Sequence, residues 1–77
     1  MNEIYINVMI NDFGNGRVRC AMTQQVNDGK LDVQHIDKAK AQRLMWELVL
    51  AGGKREVYVN QFDRNIVTSQ AWIFLPN

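Results

Sequence analysis

Three side chains in this 77-residue chain are of the types used in nucleophilic catalysis: one cysteine (Cys20), one histidine (His35) and one serine (Ser69). A working pair needs the thiol or hydroxyl within hydrogen-bonding reach of the imidazole. Cys20 alternates with Val18 and Met22, so it is expected on the buried side of a strand, where burial disfavours the thiolate. The sequence therefore predicts no catalytic residue, with Cys20 in the core and His35 at a strand-to-helix junction.

The acidic and glycine-rich segments are explained by turns and helix caps. Residues 12–16 (DFGNG) lack the alternating oxygen ligands and the terminal Glu of a calcium loop. The same glycines are followed by a strand pattern and by no Lys-Ser/Thr pair, so they do not form a phosphate loop. No cluster of Cys and His offers a zinc site. We expect neither a metal nor a cofactor.

One segment, residues 37–53 (DKAKAQRLMWELVLAGG), predicts a helix. Asp37 is a favourable N-cap, and Gly52 and Gly53 favour a left-handed C-terminal cap. The helical repeat places one apolar stripe toward the rest of the fold, made of Ala41, Leu44, Met45, Leu48 and Val49.

The remaining segments alternate apolar and polar residues, which is typical of half-buried strands. Strands are predicted at 3–11 and 17–26, which form a hairpin, at 30–35 as a short edge strand, at 54–60 with Val57 and Val59 facing inward, and at 66–75. The predicted fold class is α+β, a single domain over residues 1–77. It has a small, single-layer, mainly antiparallel sheet in the order β-β-(β)-α-β-β, with one helix packed on one face.

The last predicted strand ends in five apolar residues, 71–75 (AWIFL), which implies that both of its faces are covered. A single helix covers one face only, so Trp72 and Phe74 need another cover. A second copy of the chain would supply it; alternatively, the loop around Phe13 would fold over Trp72. The residues predicted to form a protein interface are Tyr5, Met9, Arg17, Arg19, Trp46, Leu50, Tyr58, Trp72 and Phe74.

Trp46 and Leu50 fall outside the main stripe of the helix and form a second apolar ridge. Two interpretations fit this position. Trp46 folds over the rim of the core with its indole N–H in water, or Trp46 and Leu50 contact another chain.

Charge and composition exclude several classes of function. The net charge is +1 and the sequence pI is about 7.9, which is unlike a strong nucleic-acid binder or a protein held on anionic lipid. The first residues resemble no signal peptide, no apolar run has the length of a membrane span, and the lone cysteine is typical of a cytoplasmic protein. The 8 Asn and 6 Gln against one Ser reflect either genomic base composition or a surface suited to wet protein contacts.

These observations predict a small, non-enzymatic, cytoplasmic interaction module that acts as a homodimer or through another protein. A short chain without disulfides or metals often gains stability by pairing with a copy of itself. The alternative is a weak single-stranded nucleic-acid binder that uses aromatic and arginine side chains on a sheet face; an enzyme ranks third. By analogy, a chain of this kind suggests a phage or mobile-element origin.

Overall fold

The computed structural model describes residues 3–76, which form five strands and one helix. The elements are β1 (Glu3–Gly14), β2 (Arg17–Val26), β3 (Asp32–Ile36), α1 (Lys38–Leu50), β4 (Lys54–Val59) and β5 (Val67–Pro76). The strands form one sheet in the order β3-β2-β1-β5-β4, and every neighbouring pair is antiparallel. The predicted α+β architecture with one helix is confirmed.

The hairpin between β1 and β2 is tighter than the sequence pattern predicted. The prediction ended the first strand at Asn11, but β1 continues to Gly14 through a bulge between Asp12 and Gly14. The Asp12 carboxylate accepts a hydrogen bond from the Gly14 N–H at 2.9 Å. Gly14, Asn15 and Gly16 all have positive φ, a conformation that Gly and Asn adopt with little strain. The chain therefore reverses over two residues.

Both predicted caps of α1 are present. The Asp37 carboxylate accepts from the Lys40 N–H at 2.7 Å, which satisfies one of the unpaired donors of the first turn. At the other end the Gly53 N–H donates to the Leu48 carbonyl at 2.8 Å, and the Gly52 N–H donates to the Val49 carbonyl at 3.0 Å. Gly52 has φ +99°. This pair of bonds around a left-handed glycine is the Schellman motif, which ends the helix.

The core lies between α1 and one face of the sheet. The sheet contributes Val8, Ile10, Cys20, Ala71 and Ile73. From the predicted helical stripe, Ala41, Met45 and Leu48 are buried, while Leu44 and Val49 are partly buried against them. The prediction of the stripe is confirmed.

The two edge strands differ from the prediction. The third strand is Asp32–Ile36, shifted toward the helix from the predicted 30–35. The expectation that Val57 and Val59 are buried is wrong: they lie on the helix side of β4, but they are 53% and 54% exposed. All six residues of β4 are exposed, because β4 is an edge strand that α1 does not cover.

Candidate protein interface

The cysteine and histidine lie on opposite sides of the sheet. Cys20 is buried and pairs with Ile10 and Ile36 on the helix side. His35 pairs with Ala21, the residue after Cys20, and therefore points to the other side. Burial raises the pKa of the Cys20 thiol; the nearby Lys38 ammonium partly offsets this rise, and the Asp37 carboxylate adds to it. The sheet itself separates the thiol from the imidazole.

Ser69 is also out of reach of Cys20. Both residues pair with Ile10, from opposite sides of β1, so they are two strand spacings apart, about 10 Å. The three side chains with nucleophile or base chemistry do not converge. Among residues 3–76, no three His, Cys, Asp or Glu side chains gather closely enough to hold a metal ion. Within the same range, α1 falls short of the length and apolarity that a bilayer crossing requires.

The face opposite α1, termed the outer face, is formed by the side chains that alternate with the core. Strand registers place them in cross-strand rows. The row of Tyr5 holds Gln25 and Phe74; the row of Asn7 holds Val33, Thr23, Trp72 and Lys54; the row of Met9 holds His35, Ala21, Gln70 and Glu56; and the row of Asn11 holds Arg19, Thr68 and Tyr58. Seven of the nine residues predicted for the interface lie on this face: Tyr5, Met9, Arg17, Arg19, Tyr58, Trp72 and Phe74.

Three aromatic side chains form a cluster at one end of the outer face. The rings of Tyr5 and Phe74 have centroids 4.8 Å apart and planes inclined by 35°, a favourable aromatic contact. Trp72 lies two residues from Phe74 on the same side of β5. Trp72 is half-buried, whereas Phe74 is 63% exposed. Phe74 is therefore the ring with most surface left to cover.

The middle of the outer face is polar and internally hydrogen-bonded. The Thr68 hydroxyl donates to the Asn11 side-chain carbonyl at 2.8 Å, and the Asn7 amide donates to Gln70 at 3.4 Å. Thr68 is buried even though none of the described elements covers this face. In the described range, every buried side-chain nitrogen or oxygen has a hydrogen-bond partner. Some of the abundant amides thus form a hydrogen-bonded polar patch between the aromatic cluster and the arginines.

The arginines do not alternate with the aromatic cluster. Arg19 is opposite Asn11, whereas Trp72 is opposite Asn7, four residues away along β1 and on the other side of that strand. The two residues are therefore about 16 Å apart. Arg17 lies further still, opposite Gly14. Tyr58 is the one aromatic residue that shares a row with Arg19. The mixed aromatic and arginine face predicted from the sequence is therefore divided into an aromatic end and a basic end.

The structure also separates two predicted interface residues from the rest. Trp46 and Leu50 are both exposed, but they belong to α1 and lie across the sheet from Trp72 and Phe74. One flat contact cannot include both sets. Phe13 lies six residues along β1 from Asn7, about 20 Å, so the loop around Phe13 does not cover Trp72.

On the helix side, an open cleft of about 540 Å³ runs between α1 and the strands β1, β5 and β4. Trp46 forms one wall, beside Met45 and Val49, and Arg55 lies on the β4 side. Trp46 is thus at the rim of the core and largely in solvent.

The sequence patterns did not predict that the apolar side chains of Val57, Val59 and Phe62 are exposed. For Phe62, the sequence did contain a signal of exposure, because it is an aromatic residue within the otherwise polar segment 60–65.

Comparison with known proteins gives no relative: no protein-family model, no curated protein and no solved structure matches the chain.

Proposed function

We propose that this protein is a small, non-enzymatic, cytoplasmic interaction module that works as a homodimer through a protein–protein interface on the outer face. One observation supports this most strongly: the aromatic cluster of Tyr5, Trp72 and Phe74 lies on a sheet face that no element of residues 3–76 covers. Interface cores are enriched in aromatic residues, and amides such as those beside the cluster suit hydrated contacts.

The exposed area of Phe74 supports association. At 63% exposure, Phe74 presents about 125 Å², and burying it is worth about 2 kcal/mol, since full burial of a Phe side chain gives about 3 kcal/mol at most. A two-fold dimer buries Phe74 twice, for about 4 kcal/mol, which equals the lower end of the cost of association, about 4 kcal/mol. Trp72 contributes less than the sequence suggested, because the fold already buries much of it. Burial of Tyr5 and Met9 then supplies the remaining favourable free energy of association.

Sedimentation equilibrium over a range of concentrations tests this interface. We expect a molar mass above the monomer value of 8.9 kDa. Phe74→Ser is expected to weaken the outer-face association at least tenfold. Leu31→Ser, at an exposed residue in the loop before β3, is the control and should have no effect. A wild-type protein that stays monomeric at high micromolar concentration, or an unchanged mass in Phe74→Ser, contradicts the proposal.

A second candidate function is supported by the row that joins Arg19 to Tyr58 across Asn11 and Thr68. Arg19 and Tyr58 are separated by about 14 Å, so a single strand crossing this row would meet a cation and an aromatic ring. Fluorescence titration with short oligonucleotides at low and high salt tests it. Micromolar binding that weakens with salt, and that Arg19→Gln reduces, favours nucleic acid over a protein partner.

A further inference from the structure

The exposed apolar residues are concentrated along the β4 edge as well as on the outer face. Four of them lie on α1 or on the helix side of β4, and a fifth, Phe62, lies in the loop that follows β4: Trp46, Leu50, Val57, Val59 and Phe62. No described element covers this side of the molecule, and β4 has no neighbour on its outer edge. We propose that a second copy of the chain pairs here, β4 against β4, in an antiparallel two-fold contact. This contact is separate from the outer-face interface and does not depend on it; either contact alone gives a dimer, and the two together assemble the chain beyond a dimer.

The two edges of the sheet differ in their protection against such pairing. Edge strands avoid pairing when they are short or carry inward-pointing charges. The β3 edge has five residues and places Asp32 and Gln34 on the helix side. The β4 edge has six residues and places one charged residue, Arg55, on the helix side, followed by Val57 and Val59. Pairing centred on Val57 therefore buries two valines on each strand while the long Arg55 side chain keeps its guanidinium in water, whereas pairing along β3 would bury a short carboxylate.

Symmetry and charge select the register. Both helices lie on the same side of the joined sheet only if directly opposite residues have numbers of the same parity. Placing Glu56 on the two-fold axis would bring two carboxylates together, which is unfavourable. Placing Tyr58 on the axis shortens the overlap of β4 with its copy to three residues on each strand. With Val57 on the axis, Arg55 is opposite Val59 and Glu56 is opposite Tyr58, over five residues and without a like-charged pair.

The same register brings the exposed Phe62 to the second copy. Because Val59 is opposite Arg55 in this register, the loop after β4 that carries Phe62 leads toward the end of α1 in the second copy, where Leu50 is exposed. Phe62 is 90% exposed on a loop fixed by hydrogen bonds: the Asn60 side chain accepts from the Phe62 N–H at 2.8 Å and from the Asp63 N–H at 3.1 Å. A loop whose backbone is already fixed loses less conformational freedom on binding than a mobile one.

The available area approaches what a specific dimer requires. Trp46 and Phe62, at 63% and 90% exposure, together present about 300 Å² per copy, or about 600 Å² for two copies. A standard interface buries at least about 1,200 Å² in total. The backbone of β4 and the side chains of Leu50, Val57 and Val59 supply the remainder.

Disulfide trapping tests the pairing directly. In a Cys20→Ala background, Val57→Cys places two thiols on the axis, where opposite Cα atoms are about 4.5–5.5 Å apart, within disulfide range. Gln34→Cys is a matched control, because Gln34 is also exposed, also lies on the helix side and occupies the centre of the other edge strand. With diamide as oxidant, we expect Val57→Cys to form the disulfide dimer at least tenfold faster than Gln34→Cys. Equal rates, or no dimer from Val57→Cys, would overturn the proposal.

A second measurement does not depend on whether the cysteine variants fold. Phe74→Ser removes the outer-face contact, and the self-association that remains in this variant reports on the β4 edge. Adding Phe62→Ser is expected to weaken that remaining association at least tenfold, whereas adding Leu31→Ser should leave it unchanged. A Phe74→Ser protein that is fully monomeric overturns the β4 pairing and leaves the outer-face interface standing. If Phe74→Ser leaves self-association unchanged and adding Phe62→Ser abolishes it, the β4 pairing stands and the outer-face interface is overturned.

Discussion

Gly53 joins α1 to β4 at a point where there is no room for a side chain. A Cβ atom there would be 2.6 Å from the Trp72 carbonyl oxygen and 2.8 Å from the Leu48 carbonyl oxygen. Both are backbone atoms, so no rotamer change relieves the contact. The Leu48 carbonyl also accepts the hydrogen bond from the Gly53 N–H. Gly53→Ala must therefore displace β5 from the end of α1, or break the cap.

The expected loss of stability follows from these contacts. Overpacking of this kind costs about 1–3 kcal/mol, and weakening the cap hydrogen bond adds about 1 kcal/mol. The lower entropy of the unfolded chain with Ala returns about 0.4–1 kcal/mol. We expect Gly53→Ala to lower the free energy of unfolding by about 2 kcal/mol. A chain of this length has about 4–12 kcal/mol in total.

Urea unfolding followed by tryptophan fluorescence measures this loss. With an m-value of about 1 kcal/mol/M, a loss of 2 kcal/mol lowers the midpoint by about 2 M. The protein concentration must be held fixed, because self-association adds to the apparent stability. Gly52→Asn is the control: Gly52 has open space around it, and Asn tolerates positive φ, so its cost should stay below about 1 kcal/mol. A wild-type midpoint for Gly53→Ala would refute the close approach of α1, β4 and β5.

Two further predictions concern the core. Leu48→Asp should unfold the domain, since an unpaired charge at this buried site costs about 4 kcal/mol or more. Glu47→Ala, on the exposed face of the helix, should change stability by less than about 0.5 kcal/mol. A normal thermal melt of Leu48→Asp would contradict the assigned core stripe. Cys20 should react slowly with a thiol reagent in the native protein, and Cys20→Ala should cost about 1–3 kcal/mol. Because burial raises the pKa of the Cys20 thiol, the unfolded chain loses that proton first. The free energy of unfolding should therefore decline as the pH rises above about 8.5, and Cys20→Ala should reduce that decline. Rapid labelling of the folded protein would contradict the assignment of a buried thiol, as would an identical pH profile in Cys20→Ala.

The sequence alone was sufficient for features set by local chemistry and by periodicity. Asp37 and the pair Gly52 and Gly53 bound the helix, because capping depends on a few adjacent residues. The side of β2 on which Cys20 lies followed from alternation, because side chains along a strand point to opposite faces in turn. Alternation also placed Trp72 and Phe74 on one face of the last strand. These predictions required no knowledge of which strands are neighbours.

The tertiary structure alone decided what depends on strand order. The position of β5 inside the sheet leaves β4 at the edge, and this exposes Val57 and Val59 although their alternation resembles that of buried residues. The cross-strand register separates the arginines from the aromatic cluster, because residues on the same face can still lie at opposite ends of a strand. The placement of α1 divides the predicted interface, with Trp46 and Leu50 on one side of the sheet and Trp72 and Phe74 on the other. Neighbouring strands are joined by contacts between residues far apart in the chain, and local sequence patterns carry no record of those pairings.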